Sequence, residues 1–307
     1  MVKATLEGCL RESRRDHCRM LCYARGCGPR SGSTASAMLA GGFHYFNYNQ
    51  KVFEIGEPNN GTLGVVTWGL GGLGAQSHRT MFALLHDDLE TKKPKSIAEI
   101  ADRLVDRAWS TYDPLCVRCR DLNAKKSFDS KATPPDPVAR TKDEEQELEQ
   151  LQRGLVLGFC IGGYLPPSRT PEAFSIAFDP LSKKPSPVLL PVGSWNFWGA
   201  PNMIQRLMFG CDDALKQDLL LSGKWSGTPA ELEALLTQHR LATLYLPIRE
   251  AIDFVYACCA STIKAMKFSS LAQICGGPIE IAVITTDRRF RWVRHKEWDA
   301  AITEGVP

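Results

Sequence analysis

The sequence lacks an apolar run long enough to cross a membrane as a helix, and its start does not have the pattern of a signal peptide. A membrane-spanning helix needs about 20 consecutive apolar residues. The longest apolar stretches cover residues 241–248 and 251–260, and Arg249 and Glu250 separate them. The first five residues lead into charged side chains rather than an apolar segment. These two absences favour a cytoplasmic protein without a membrane partner.

The body of the chain also lacks an excess of positive charge. The formal net charge is +3, but residues 1–33 alone hold seven Lys and Arg residues against three acids. The rest of the chain is therefore close to neutral. Domains that bind nucleic acid usually carry a clustered basic face. We expect no nucleic-acid partner for the body of the protein.

The motifs of an ordinary serine hydrolase are missing as well. The six histidines are scattered, and no G-x-S-x-G elbow occurs in the sequence. The segment Gly193-Ser194-Trp195 is only a fragment of such an elbow. A Ser-His-Asp mechanism is therefore not predicted.

A zinc site is present at most in part. Cys116 and Cys119 form a Cys-x-x-Cys motif, which suits half of a zinc site or a redox pair. Structural zinc needs four ligands, and no second motif of this kind follows. Cys9, Cys18 and Cys22 could complete the set only from the unusual N-terminal segment. We predict no metal ion and no other cofactor.

The glycine-rich run from Gly69 to Gly74 fits G-x-G-x-x-G between a predicted strand and a predicted helix. Such a run can hold a dinucleotide pyrophosphate at a helix N-terminus. That site also requires a second parallel strand about 20 residues later, ending in an acidic residue. The corresponding window, residues 90–100, contains Pro94 and a helix cap at Ser96. The run therefore favours a tight turn over a nucleotide site.

Periodicity predicts strands and helices in grouped rather than alternating order. Apolar and β-branched runs bounded by turn residues predict strands, and apolar stripes of helical period predict helices. The predicted strands are 48–55, 62–68, 155–161, 173–178, 188–192, 279–285 and 289–294. The predicted helices are 78–89, 96–109, 199–221 and 247–267.

This order predicts an α+β protein with antiparallel sheets covered by helices. A parallel α/β protein would alternate single strands with single helices, whereas here pairs of helices separate groups of strands. The region near 120–147 is polar and rich in proline, which indicates an exposed insertion that is helical at its acidic end. We expect residues 41–307 to form a single domain with this insertion.

The first 40 residues differ from the rest. They are rich in Arg, Cys, Gly and Ser, and their apolar residues follow no regular period. We expect an irregular arm. It is either a native segment that binds an acidic partner or a segment outside the native reading frame, and the sequence leaves both open.

Several segments together resemble proteasome-type N-terminal-nucleophile hydrolases, in particular bacterial homologues of the proteasome β-subunit. The likeness covers about 250 residues, and it depends on the order of these segments rather than on one motif. They are NQKVFEI (49–55), GVVTWGLGG (64–72), GFCIGGY (158–164), FDP (178–180), FWGAPNMIQRLMFG (197–210) and CGGPIEIAVIT (275–285).

The resemblance implies a four-layer αββα sandwich in which two antiparallel sheets lie between helix layers. Members of the family cleave amide bonds with an N-terminal Thr, Ser or Cys whose α-amine is the general base. The resemblance assigns the neighbouring lysine to Lys51 and the oxyanion donor to the backbone near Gly69 or Gly71. It also implies a peptide or small amide substrate, and self-association into a ring or another homo-oligomer.

The sequence departs from this family pattern at three positions. Counting back from Lys51 puts the nucleophile near Cys18. Ser36 falls where the family has its first aspartate, and Ala272 and Cys275 fall where it has a later Asp and Ser. Of this later pair, only Cys275 could act. The sequence therefore predicts either an amidohydrolase with a displaced nucleophile or a non-catalytic subunit with the same fold.

Overall fold

The computed structural model of the chain describes residues 50–56, 61–128, 138–241, 246–268 and 278–295 in full, together with the backbone of four earlier strands. The strands are β1 Val2–Leu6, β2 Cys18–Tyr23, β3 Ser36–Leu39, β4 Gly42–Tyr45, β5 Val52–Ile55, β6 Leu63–Gly69, β7 Gly72–Leu73, β8 Gln76–Ser77, β9 Leu157–Gly163, β10 Glu172–Phe178, β11 Val188–Leu189, β12 Trp195–Phe197, β13 Glu280–Thr285 and β14 Arg288–Arg294. The helices are α1 His78–Thr91, α2 Ile97–Leu115, α3 Val117–Ala124, α4 Lys142–Gly154, α5 Asn202–Phe209, α6 Asp213–Leu221, α7 Pro229–Gln238 and α8 Ile248–Lys267.

Two five-stranded antiparallel sheets organise the described part of the chain. Sheet A has the strand order β12-β1-β2-β13-β14, and sheet B has the order β11-β10-β9-β6-β5. Every pairing of neighbours in both sheets is antiparallel. The prediction of an α+β protein with antiparallel sheets is confirmed.

The two faces of sheet B are buried in different cores because side chains alternate along each strand. On β6, Leu63 and Val65 belong to a core that includes Leu85 of α1 and Leu104 of α2. The intervening Val66 belongs to a second core, formed with residues of β13 and β14. Burying one large aliphatic side chain contributes roughly 1.5–3 kcal/mol. Both faces of sheet B therefore contribute to stability.

A third core joins helices α5 and α8 to the other side of β13. Ile281 and Val283 of β13 pack here with Ile204 of α5 and Val255 of α8. Helix α8 also contacts β1 and β2. Ala282 and Ile284, which alternate with this pair along β13, belong to the second core. Sheet A is thus buried through β13 on both of its faces.

Local capping explains where the helices begin and end. The Ser96 side chain accepts a hydrogen bond from the Glu99 N–H, as the sequence predicts for this N-cap. The helix expected over residues 199–221 is instead two helices. Gly210, with φ +80°, ends α5, and the Asp212 side chain caps α6 by accepting from the Leu215 N–H. The prediction of a single helix is wrong, because Gly210 ends the first helix and Asp212, two residues later, caps the second.

The N-terminal arm also differs from the expectation. The sequence indicates no regular structure in residues 1–40, but the structure has strands β1, β2 and β3 there. The segments are short, and β1 and β2 pair with β12 and β13, almost 200 or more residues away. A local pattern carries little information about such distant pairing. Strands thus occur within the segment, and the expectation of an arm distinct from the main domain stays a prediction.

The insertion near 120–147 is anchored by one arginine. Helices α3 and α4 pack together, and the buried Arg140 lies between them. Its guanidinium donates to the carbonyl oxygens of Leu122 and Lys125 at 2.9 and 2.7 Å and to the Glu145 carboxylate at 2.6 Å. The acidic end of the insertion is helical, in agreement with the sequence analysis. Residues 129–137 lie outside the described part.

Across the described residues, every helix is either too short or too polar to span a lipid bilayer.

Candidate functional site

The strand registers bring several of the predicted residues to one end of the two sheets, here called the Lys51 end. In sheet B, the Thr67 N–H donates to the Lys51 carbonyl at 2.9 Å, and Gly69 lies two residues further along β6. In sheet A, β13 begins at this end with Glu280, whose carboxylate accepts from the Lys51 N–H at 3.4 Å. Lys51 and Gly69 therefore lie near each other, as the resemblance implies.

Lys51 is almost completely buried, with 1% of its surface exposed. A solvated strand lysine would extend its ammonium into water, and burying a charge is costly unless other groups stabilise it. Glu280 is buried to the same degree, at 1% exposure. The Lys51 end thus holds a cation and a carboxylate that are both removed from solvent.

His78, the first residue of α1, is a further titratable group near this lysine. Its imidazole is 3% exposed and lies against the rings of Phe53, Phe82 and Phe159. Burial, and secondarily the charge of Lys51, lower the pKa of His78 to about 3. Within the described residues, His78 Nε2 has no hydrogen-bond partner. His78 is therefore a neutral group at physiological pH.

Glu280 connects this end to the last described residue. The His295 Nε2 atom lies 4.0 Å from a Glu280 carboxylate oxygen, and the His295 side chain is 34% exposed. The His295 ring also packs on Trp292 at 4.1 Å between ring centroids. One side of the Glu280 carboxylate thus faces Lys51, and the other faces a partly solvent-accessible imidazole.

The glycine-rich run begins with a conformation that only glycine adopts easily. Gly69 has φ +77°, and a Cβ atom there would lie 1.9 Å from the Val156 carbonyl oxygen. The next N–H, of Leu70, donates to that same oxygen at 2.9 Å. Because the Leu70 N–H is already engaged, the neighbouring Gly71 N–H is the candidate to bind a ligand oxygen.

The remaining predicted residues, Ser36 and Cys275, are not tested by the described part of the structure. Ser36 opens β3, which pairs only with β4 among the described strands (Ser36 opposite Tyr45). Cys275 and Ala272 lie outside the described residues. The contribution of these positions to the site stays a prediction.

The register also locates Cys18, and it lies at the opposite end of sheet A. Cys18 is opposite Thr285, whereas Glu280 is opposite Tyr23. Five residues along an antiparallel strand correspond to about 17 Å. By contrast, β1 begins at the Lys51 end, because Val2 and Ile281 are both opposite Cys22. The spacing of Cys18 from Lys51 in sequence therefore does not correspond to proximity in the fold.

Sequence reasoning missed Glu280 and His78. Glu280 interrupts an otherwise apolar predicted strand, and a single acid in such a run is a signal that it is buried with a partner. His78 directly follows the Ser77 cap, and only its place in α1 was predicted. Their approach to Lys51 depends on tertiary contacts between three separate segments. Among the described residues, no cluster of three or more His, Cys, Asp or Glu side chains could hold a metal ion.

No protein-family model matches the chain. A search of curated proteins gives no match either.

Proposed function

We propose that this chain has the four-layer αββα sandwich of the proteasome-type N-terminal-nucleophile hydrolases, and that the Lys51 end is its site of amide-bond hydrolysis. The observation that carries the proposal is the burial of Lys51 at the end of the sheets where β1 begins and where the glycine-rich turn follows β6. This chemistry requires a lysine near the N-terminal residue, and Lys51 shares the end of the sheets where β1 begins.

The three separate cores support the layered arrangement. One core joins α1 and α2 to sheet B, the second joins sheet B to β13 and β14, and the third joins sheet A to α5 and α8. Helix, sheet, sheet and helix in this order account for all three cores. A single open sheet would have only two faces and two cores.

In the proposed reaction, the α-amine of the N-terminal residue takes the proton from its own side chain, and that side chain attacks the amide carbonyl. An α-amine has a pKa of about 7.7–8.0, so part of it is already an unprotonated base near neutral pH. The Lys51 cation beside it favours the deprotonated forms of both the nucleophile and the amine. The lowered pKa of His78 is an example of the same electrostatic effect, although burial is its larger cause.

The negative oxygen of the tetrahedral intermediate requires a hydrogen-bond donor that is already oriented. The Gly71 N–H fits this role better than the Leu70 N–H, because the latter donates to Val156. One oxyanion donor typically accounts for about 100- to 1,000-fold in rate. The Val156 carbonyl holds the turn in a fixed conformation, so the donor would need little reorganisation when substrate binds.

The proposal restricts where the nucleophile is found. A nucleophile at Cys18 would require removal of residues 1–17 and hence of β1, which pairs with β2 on one side and β12 on the other. It would also lie at the end of sheet A remote from Glu280. Both points argue against Cys18 as the nucleophile, so the mature N-terminal residue is the one that intact-mass measurement identifies.

The experiment that tests this function combines intact-mass measurement with turnover of peptidyl-coumarin amides. We expect a processed N-terminus that begins with Thr, Ser or Cys, and measurable amide hydrolysis. Lys51→Met, which keeps much of the side-chain volume, should lower kcat/KM by at least about 100-fold. Lys224→Met at an exposed position outside both sites is the matched control and should retain full activity. Equal activity of both variants would remove Lys51 from the mechanism.

The second candidate function is a non-catalytic subunit of a homo-oligomer. Two observations favour it: β1 already begins at Val2, and it is bonded to strands on both sides. This function predicts an intact Met1 by mass spectrometry and no amide turnover. It also predicts an oligomer of defined size in native mass spectrometry, and a monomer would contradict it.

A further inference from the structure

A cavity of about 660 Å³ lies at the end of the sheets remote from Lys51. It is bordered by Ile55 of β5 and Leu63 of β6, which are opposite each other in the register. Ile55 is four residues from Lys51, which corresponds to about 13 Å along the strand. Sites for small organic ligands typically have volumes of about 300–1,000 Å³. The cavity is thus of ligand size and separate from the Lys51 end.

Backbone hydrogen bonds hold the walls of this cavity together. The Phe290 N–H donates to the Gly61 carbonyl at 2.8 Å, which fixes the β13–β14 hairpin against the start of β6. The Tyr164 N–H donates to the Thr62 carbonyl at 3.1 Å and so fixes the segment after β9. The Gly61 N–H donates to the Glu54 carboxylate at 2.8 Å. These bonds hold the described walls of the cavity in place before a ligand binds.

The floor of the cavity is apolar. Ile55, Leu63 and Leu89 line it, with exposures of 3, 5 and 7%. Leu165 and Pro166 extend the same apolar surface on another wall. Such a floor favours a ligand with aliphatic groups, since each buried CH₂ contributes about 0.8 kcal/mol in general.

Charges of both signs border the same cavity. Glu90 contributes a carboxylate from the last turn of α1, where the partial negative charge of the helix end adds to it. Arg289 contributes a guanidinium from β14, and Lys93 adds a second cation just after α1. Groups of opposite charge thus border the cavity from two different elements, α1 and β14.

We propose that this cavity binds a short peptide with free termini and aliphatic side chains, about the size of a dipeptide. Its ammonium group lies at Glu90, its carboxylate at Arg289 and Lys93, and its side chains on the floor of Ile55, Leu63 and Leu89. The volume, the apolar floor and the opposite charges each match one part of such a ligand. The site is independent of the chemistry proposed at Lys51.

Isothermal titration calorimetry with the dipeptide Leu-Leu tests the proposal. N-acetyl-Leu-Leu lacks the ammonium group, and Leu-Leu amide lacks the carboxylate, so the three ligands separate the two charge contacts. Glu90→Gln and Arg289→Gln are the test variants. Asp87→Asn, exposed on the same helix, and Arg288→Gln, exposed on the same strand, are their matched controls outside the cavity lining.

We expect Leu-Leu to bind the unaltered protein, and each test variant to weaken binding about tenfold, as for the loss of one charged hydrogen bond. Glu90→Gln should leave the affinity for N-acetyl-Leu-Leu unchanged, and Arg289→Gln should leave the affinity for Leu-Leu amide unchanged. Both controls should bind Leu-Leu normally. Absence of binding at millimolar ligand, or binding that neither test variant changes, would overturn the proposal.

Lys51→Met distinguishes this site from the proposed catalytic site. The variant should lose amide turnover and keep its affinity for Leu-Leu, because the cavity lies at the other end of β5. If Lys51→Met abolishes Leu-Leu binding while the fold is retained, the dipeptide binds at the Lys51 end, and the cavity proposal is wrong.

Discussion

The buried imidazole of His78 should make the stability of the protein strongly dependent on pH below neutrality. The unfolded chain binds a proton at this residue near pH 6.5, whereas the folded chain does so only at about pH 3. The lowered pKa therefore contributes stability that is fully present above pH 6.5 and is lost as the pH falls towards 3. The difference of about 3.5 pH units corresponds to roughly 5 kcal/mol in total, of which roughly 3 kcal/mol is lost by pH 4.

Urea unfolding of the unaltered protein and of His78→Leu between pH 7 and pH 4 measures this contribution. Leucine is apolar, like the surrounding rings of Phe53, Phe82 and Phe159, and its side chain does not titrate. Exposed carboxylates titrate in both proteins, so they cancel in the comparison. The unaltered protein should lose roughly 3 kcal/mol more than the variant over this range.

Two outcomes would refute this reasoning. Parallel pH dependence of the two proteins would mean that His78 is not buried in a neutral form. An NMR titration that gives His78 a pKa near 6.5 would show the same directly. Lys51→Met should raise the pKa of His78 by less than half of the total shift, because burial is the larger cause and the lysine charge the smaller one.

Three further substitutions test the fold around the site, each by the free energy of unfolding in urea. Gly69→Ala should cost at least about 3 kcal/mol, because the new Cβ atom would lie 1.9 Å from a backbone oxygen. Gly223 has a similar φ but open space around it, so Gly223→Ala should cost only about 1–2 kcal/mol. Equal losses in the two variants would contradict the steric clash at Gly69. Arg140→Ala should cost about 3 kcal/mol, because the buried guanidinium donates to the Leu122 and Lys125 carbonyls and to the Glu145 carboxylate. Arg153→Ala, at a partly exposed ion pair, should cost less than about 1 kcal/mol, and similar costs would refute the role of Arg140. Thr228→Ala should cost about 1 kcal/mol through loss of the capping box of α7, and no loss would mean that this helix end is frayed.

Much of the fold follows from local pattern. The apolar runs that form the buried strands β6 and β13 and the capping of α2 at Ser96 are visible in the sequence, since they depend on neighbours within a few residues. The α+β class with antiparallel sheets follows from the grouping of these elements. Helix α7 was missed although its cap at Thr228 is a clear signal, because its apolar stripe is weak and Leu232 is its one fully buried residue.

The site was predictable only in part. Lys51 and the glycine run could be singled out by their setting in the sequence, and the registers bring them to the same end of the sheets. Glu280 could not be assigned to them, because its approach to Lys51 crosses 229 residues of chain and depends on how the sheets stack. The same limit explains Cys18. Its distance in sequence suits the family pattern, but the pairing of β2 with β13 puts it at the other end.

The most direct test of the central claim is covalent trapping of the nucleophile. Incubation with a peptidyl vinyl sulfone, whose alkene adds to the nucleophilic oxygen or sulfur with no leaving group, followed by digestion and mass spectrometry, would identify the labelled residue. The account predicts a label on the mature N-terminal residue in the unaltered protein, and a much weaker label in Lys51→Met. A label on an internal residue, or equal labelling of both proteins, would contradict it.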